Sequence, residues 1–89
     1  MELQHPLQKS FATSDFWLAG ALLASGKKLV SLDWRGSRAF FIFGDPTNCE
    51  SLAHAHWAGD LGITSLAFAD ALRRLKDQLR FRERQNEVS

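Results

Sequence analysis

The sequence predicts a small two-layer α+β domain: an antiparallel β-hairpin, widened to three strands if residues 8–12 add an edge, packed by three helices in the order (β)αββαα. Three observations carry that expectation. Residues 29–34 alternate in polarity and run through Arg35-Gly36-Ser37-Arg38 into the apolar run Ala39-Phe40-Phe41-Ile42-Phe43, which reads as strand, tight turn and strand. Three other stretches open on helix-capping residues and carry apolar positions at helical spacing. Finally, 89 residues with 45% hydrophobic content and ten aromatics (seven Phe, three Trp) are enough for one packed core and too few for two. The expected division is a flexible N-terminus over 1–10, the domain over 11–80 and a charged tail over 81–89.

The first helix follows the cap cluster Thr13, Ser14 and Asp15, occupies about residues 16–25, and stops at Gly26, a residue suited to a left-handed C-terminal position. At about 100° per residue, Phe16, Leu18, Ala19, Leu22 and Leu23 share one face, while Trp17, Ala21 and Ala24 lie opposite. In the hairpin, a two-residue Gly36-Ser37 turn of type II′ sets Trp34 opposite Ala39, Leu32 opposite Phe41 and Val30 opposite Phe43. Those six residues form the expected core face. Phe40 and Ile42 then fall on the reverse face, among Leu29, Ser31 and Asp33.

Asp45-Pro46 reads as an N-cap followed by proline at the first helical position. Cys49, Leu52, Ala53, His56 and Trp57 form the apolar stripe of that second helix, which ends near Gly59, with Trp57 and Trp34 at the edge of the core. After residues 62–65, a third helix buries Phe68, Ala71, Leu72, Leu75 and Leu79.

Cys49 is the only cysteine, which excludes an intrachain disulfide or a cysteine-built zinc site and suits a reducing compartment. The opening residues lack a secretory pattern, and the longest apolar stretch, 16–24, is too short to span a bilayer, so a cytoplasmic location without membrane contact is expected. The net charge is only +1, but it is unevenly spread. Residues 39–72 hold Asp45, Glu50, Asp60 and Asp70 and no Lys or Arg, whereas residues 73–84 hold six bases against Asp77 and Glu83.

Few residues suggest chemistry. His54 and His56 stand about 200° apart on a helix and cannot share a metal ion. Cys49 sits near a helix N-terminus, where the dipole lowers a thiol pKa, but no base or orienting group is marked out beside it, so a buried structural thiol is the better reading. The glycines form no phosphate loop. No catalytic residue, cofactor, metal or small-molecule substrate is expected, and the chain reads as a non-enzyme.

Two binding readings remain. Trp17, on the helix face that does not obviously pack inward, joins Phe40 and Ile42 as an apolar surface for a protein partner or a second copy. Alternatively, Lys27, Lys28, Arg35, Arg38, Arg80, Arg82 and Arg84 contact nucleic acid. Arg35 and Arg38 face one another across the turn and must either splay into water or share an anion. Asp70 can pair with Arg73 and Arg74, and Asp77 with Arg73 and Arg80, leaving the tail arginines less compensated.

Phe11, Thr13-Ser14-Asp15, Leu18-Ala19, Leu22 and Gly26, then Phe41-Ile42-Phe43 with Asp45, Trp57, Phe68-Ala69, Ala71-Leu72 and Leu75-Lys76, together resemble a family of small bacterial and phage-associated domains known only as a domain of unknown function. The resemblance spans roughly residues 11–80 and rests on capping and core positions. It implies a compact α+β fold encoded near mobile elements, and it carries over no catalytic residue. The expected function is therefore a non-catalytic binding module of phage or mobile-element origin, acting by protein contact or self-association.

Overall fold

The computed structural model describes residues 10–88, with side chains for residues 10–81. The chain forms β1 (Ser10–Thr13), α1 (Phe16–Ala24), β2 (Leu29–Arg35), β3 (Arg38–Gly44), α2 (Pro46–Ala58) and α3 (Ser65–Val88). This is the α+β order read from the sequence, with the leading strand present. Of the N-terminal segment expected to be flexible, only Ser10 lies within the described residues, and it opens β1. At the other end α3 continues through the charged segment to Val88. The side chains of Arg82 and Arg84 lie outside the described residues.

All strand pairings are antiparallel, and the sheet order is β1-β3-β2. Thus β1 joins the hairpin on the β3 side, and β3 becomes the central strand. Its pairings set Phe11 opposite Phe43 and Ala12 opposite Ile42. As the central strand, β3 has its backbone paired on both edges, and every residue from Ala39 to Phe43 is apolar.

The turn has Gly36 at φ 65, and Asp45 is the one non-glycine residue with positive φ among the described residues. Positive φ at the first turn position but not at Ser37 is the sign pattern of type II′, which glycine adopts without a Cβ clash. From it Trp34 meets Ala39 and Leu32 meets Phe41, as expected. The register then shifts. A bulge between Leu29 and Ser31 puts Leu29, not Val30, opposite Phe43. One extra residue interrupts the strict alternation of faces, so Leu29 packs against the core and Val30 is 65% exposed.

Leu32, Phe41 and Phe43 meet Leu18, Ala19 and Leu22 of α1, Cys49 and Ala53 of α2 and Leu75 of α3 in one buried cluster. All three helices therefore pack on the same side of the sheet. In α1 the whole run Leu18, Ala19, Gly20, Ala21 and Leu22 is buried, because the sheet meets one side of the helix and α3 meets its Gly20 side. A Cβ on Gly20 would lie 2.5 Å from Leu72 Cδ2 and 3.3 Å from Phe68 Cε1, so the small residue is what lets the two helices approach. The expectation that the Trp17, Ala21 and Ala24 side does not pack inward is corrected accordingly: Ala21 is fully buried.

Local chemistry fixes the helix ends. The Asp15 carboxylate accepts from the Trp17 and Leu18 amides at 3.0 and 3.2 Å, satisfying two of the first free donors of α1. At its other end the Lys27 amide donates to Leu22 O and the Gly26 amide to Leu23 O, with Gly26 at φ 94, a Schellman closure. Asp45 precedes Pro46 as expected but makes no side-chain cap. It is left-handed at φ 56, and its carboxylate instead takes Lys27 Nζ at 3.2 Å, tying the β3–α2 junction to the α1–β2 loop.

Candidate functional site

With Phe41 and Phe43 pointing at the helices, alternation puts Phe40 and Ile42 on the outer face of the sheet. The buried faces of the three helices meet the opposite side, and α3 reaches only the β2 edge, where Gln78 and Phe81 share a shallow cavity with Val30 and Ser31. Both side chains are half-buried by their strand neighbours, Ala12 on the β1 side and Ser31 and Asp33 on the β2 side. The bulge adds a residue that sequence alternation assigns to the core. A Cβ built on Gly44 would lie 4.0 Å from Val30 Cγ2, so Val30 borders the outer face beside Gly44. Val30, Ile42 and Phe40 thus form an apolar strip along the sheet, flanked by Ala12. A bulge has no composition signal, and Val30 was hidden for that reason.

The strip ends at the hairpin tip. Arg35 Cζ stands 4.4 Å from the centre of the Phe40 ring, within cation–π range, while Arg35 Nε donates to Asp33 Oδ2 at 3.1 Å. Arg35 and Arg38 are paired across the turn, and their mutual repulsion is relieved on the Arg35 side by this carboxylate and ring. Arg38 is exposed and makes no ion pair among the described residues.

Trp17 is 57% exposed, but it belongs to the helical layer. Its ring lies 5.8 Å from Phe16 and 6.1 Å from Phe68, at the margin of the α1–α3 contact. The sheet separates it from Phe40 and Ile42, so the three do not form one patch. Trp57, expected at the core edge, is 63% exposed, with its ring 6.1 Å from that of His54. Thirteen residues of α2 turn only Cys49 and Ala53 fully inward, too narrow a stripe to cover Trp57. Trp34 remains half-buried, and its Nε1 is enclosed without an acceptor among the described residues.

The basic residues are dispersed. Lys27 and Lys28 precede β2, whereas Arg35 and Arg38 lie at its far end, about 20 Å away for a seven-residue strand. Lys27 is engaged by Asp45 and Arg35 by Asp33. Asp70 takes both Arg73 and Arg74 at 3.4 Å, as helical spacing predicts. Asp77, expected to pair with Arg73 and Arg80, makes no ion pair among the described residues, and Arg80 is exposed.

Cys49 is fully buried, and its thiol donates to Gly44 O at 3.3 Å. Burial pushes its pKa above the ordinary value of 9.0, with Lys27 acting downward and Asp45 upward. The direction is opposite to the one expected from the helix dipole, because desolvation of a thiolate outweighs a partial charge. A thiol held protonated is a poor nucleophile. Among the described residues no three His, Cys, Asp or Glu side chains gather as metal ligands, and no helix is long and apolar enough to cross a membrane.

Comparisons with protein-family models, curated proteins and solved structures return no match.

Proposed function

We propose that the chain is a non-catalytic protein-binding module that docks through the outer face of its sheet, on a partner protein or a second copy. The observation that carries this reading is the apolar strip Val30, Ile42 and Phe40, which lies on the side away from the buried helix faces and which the β2 bulge extends. Contiguous apolar surface of this kind marks interaction sites more often than chance, and the Arg35–Phe40 contact gives one end a polar, cationic edge suited to an interface rim. The resemblance over residues 11–80 supports a phage or mobile-element setting, which the identity of neighbouring genes would test.

The nucleic-acid alternative has less support. Its bases stand at both ends of β2 and on α3, with Lys27 and Arg35 already held by carboxylates, whereas a phosphate track needs them in one line.

The test combines light scattering from micromolar to millimolar chain with capture of partners from the native host, for the wild type and for Phe40→Glu with Ile42→Lys. Loss of self-association or of a captured partner in the folded double variant supports the outer face. Identical behaviour of the two proteins would eliminate it, and duplex or single-stranded DNA binding with a steep salt slope would favour the alternative.

A further inference from the structure

A second feature lies away from the sheet face, where the α1–β2 loop meets α3. There an open cleft of about 440 Å³ is bounded by Lys27 and Lys28 on one side and by Arg74 and Gln78 on the other. Its apolar wall comes from the half-buried Leu23 and Leu29, with the fully buried Leu75 behind them. The size falls within the range of small-ligand pockets.

The polar lining is one-sided. Three cations and an amide surround the cleft, and no carboxylate lines it among the described residues. Asp45 and Asp70 hold Lys27 and Arg74 from outside it, and Lys28 has no ionic partner among the described residues. The C-terminal end of α1 accounts for Lys27 and Lys28, since a helix C-terminus favours positive charge. It does not account for Arg74 and Gln78, which α3 brings from 46 and 50 positions beyond Lys28 in the numbering to the same opening. Donors converging from two elements over leucine side chains match a ligand with a negative head and an apolar body.

We propose that this cleft binds a small amphiphilic anion, a molecule with one phosphate, sulfate or carboxylate head on a short alkyl or aryl body. The head lies between Lys28 and Arg74, with Gln78 as a further donor, and the body lies along Leu23 and Leu29. Charge-assisted contacts from a lysine and a guanidinium fix the head, and the leucines separate this ligand from free inorganic anions.

Amide-resolved NMR titration of the full chain tests the site, with hexyl phosphate, inorganic phosphate and hexanol as probes. Hexyl phosphate is expected to give saturable shifts at residues 26–29 and 74–78, with inorganic phosphate and hexanol each at least about tenfold weaker. Lys28→Gln and Arg74→Gln should each weaken hexyl phosphate by about tenfold, while Lys28→Arg retains it. Preserved spectra of the variants report that they remain folded. The assignment is overturned by inorganic phosphate binding as well as hexyl phosphate, by shifts centred elsewhere, or by undiminished binding in the Lys28→Gln/Arg74→Gln double variant. Displacement of the probe by oligothymidylate, with a steep salt slope, would reassign the bases to nucleic acid. None of these readouts depends on the sheet face.

Discussion

The two faces of β3 carry nearly the same chemistry and meet different fates. Phe41 and Phe43 are buried under three helices, whereas Phe40 and Ile42, their immediate neighbours in sequence, face away from every described helix. Composition does not separate them. What separates them is the pleat, which sends successive side chains to opposite sides, and the fact that the three described helices all pack on one side. An apolar residue on a covered face is explained by folding. On an open face the same residue is half-sheltered by its strand neighbours and left available.

The largest expected effect tests that contrast directly. Phe43→Ala should lower unfolding free energy in urea by about 3–5 kcal/mol, because a fully buried ring is lost and its cavity remains. Phe40→Thr and Ile42→Thr, which keep a strand-forming residue, should cost below about 1 kcal/mol each. Comparable losses on the two faces would mean that the outer face is covered within the folded chain.

Next in size is Gly20→Leu. Any side chain here meets Leu72 and Phe68, and overpacking costs about 1–3 kcal/mol, which would appear as a lower urea midpoint. An unchanged midpoint would show that α3 can move off α1 freely, and the covered side would then be less firmly closed than its burial implies.

Cys49 reports on the same side by titration. Its folded pKa is raised, so its contribution to stability is fully present below the unfolded pKa, near 9.0, and is lost as pH rises through the folded value. The stability difference between wild type and Cys49→Ala should therefore shrink above about pH 9, and labelling of the native thiol by a disulfide reagent should be slow. Rapid labelling at neutral pH would contradict a closed core at Cys49.

The smallest effect sharpens the register. Val30→Thr should change stability by no more than about 0.5 kcal/mol, since the side chain is largely in water, whereas Leu29→Ala should cost more because Leu29 packs on the core. If the order were reversed, the bulge would be misplaced and Val30 would return to the core face.

The sequence by itself determined the parts whose causes are local. Asp15 caps α1 through its own carboxylate, Gly26 closes it at positive φ, and Gly36-Ser37 turns the hairpin, each within a few residues of chain. Strand alternation likewise set Trp34 and Leu32 opposite Ala39 and Phe41 and divided Phe40 from Phe41. Tertiary structure alone decided what depends on neighbours distant in sequence. It put β1 beside β3, bulged β2 at Val30, laid α3 against the Gly20 side of α1, turned Trp57 outward and brought Arg74 to Lys28. Periodicity assigns a residue to a face, but it does not say what meets that face. The candidate surface and the basic cleft were legible only in part for that reason, because both are defined by which faces the helices cover and which they leave open.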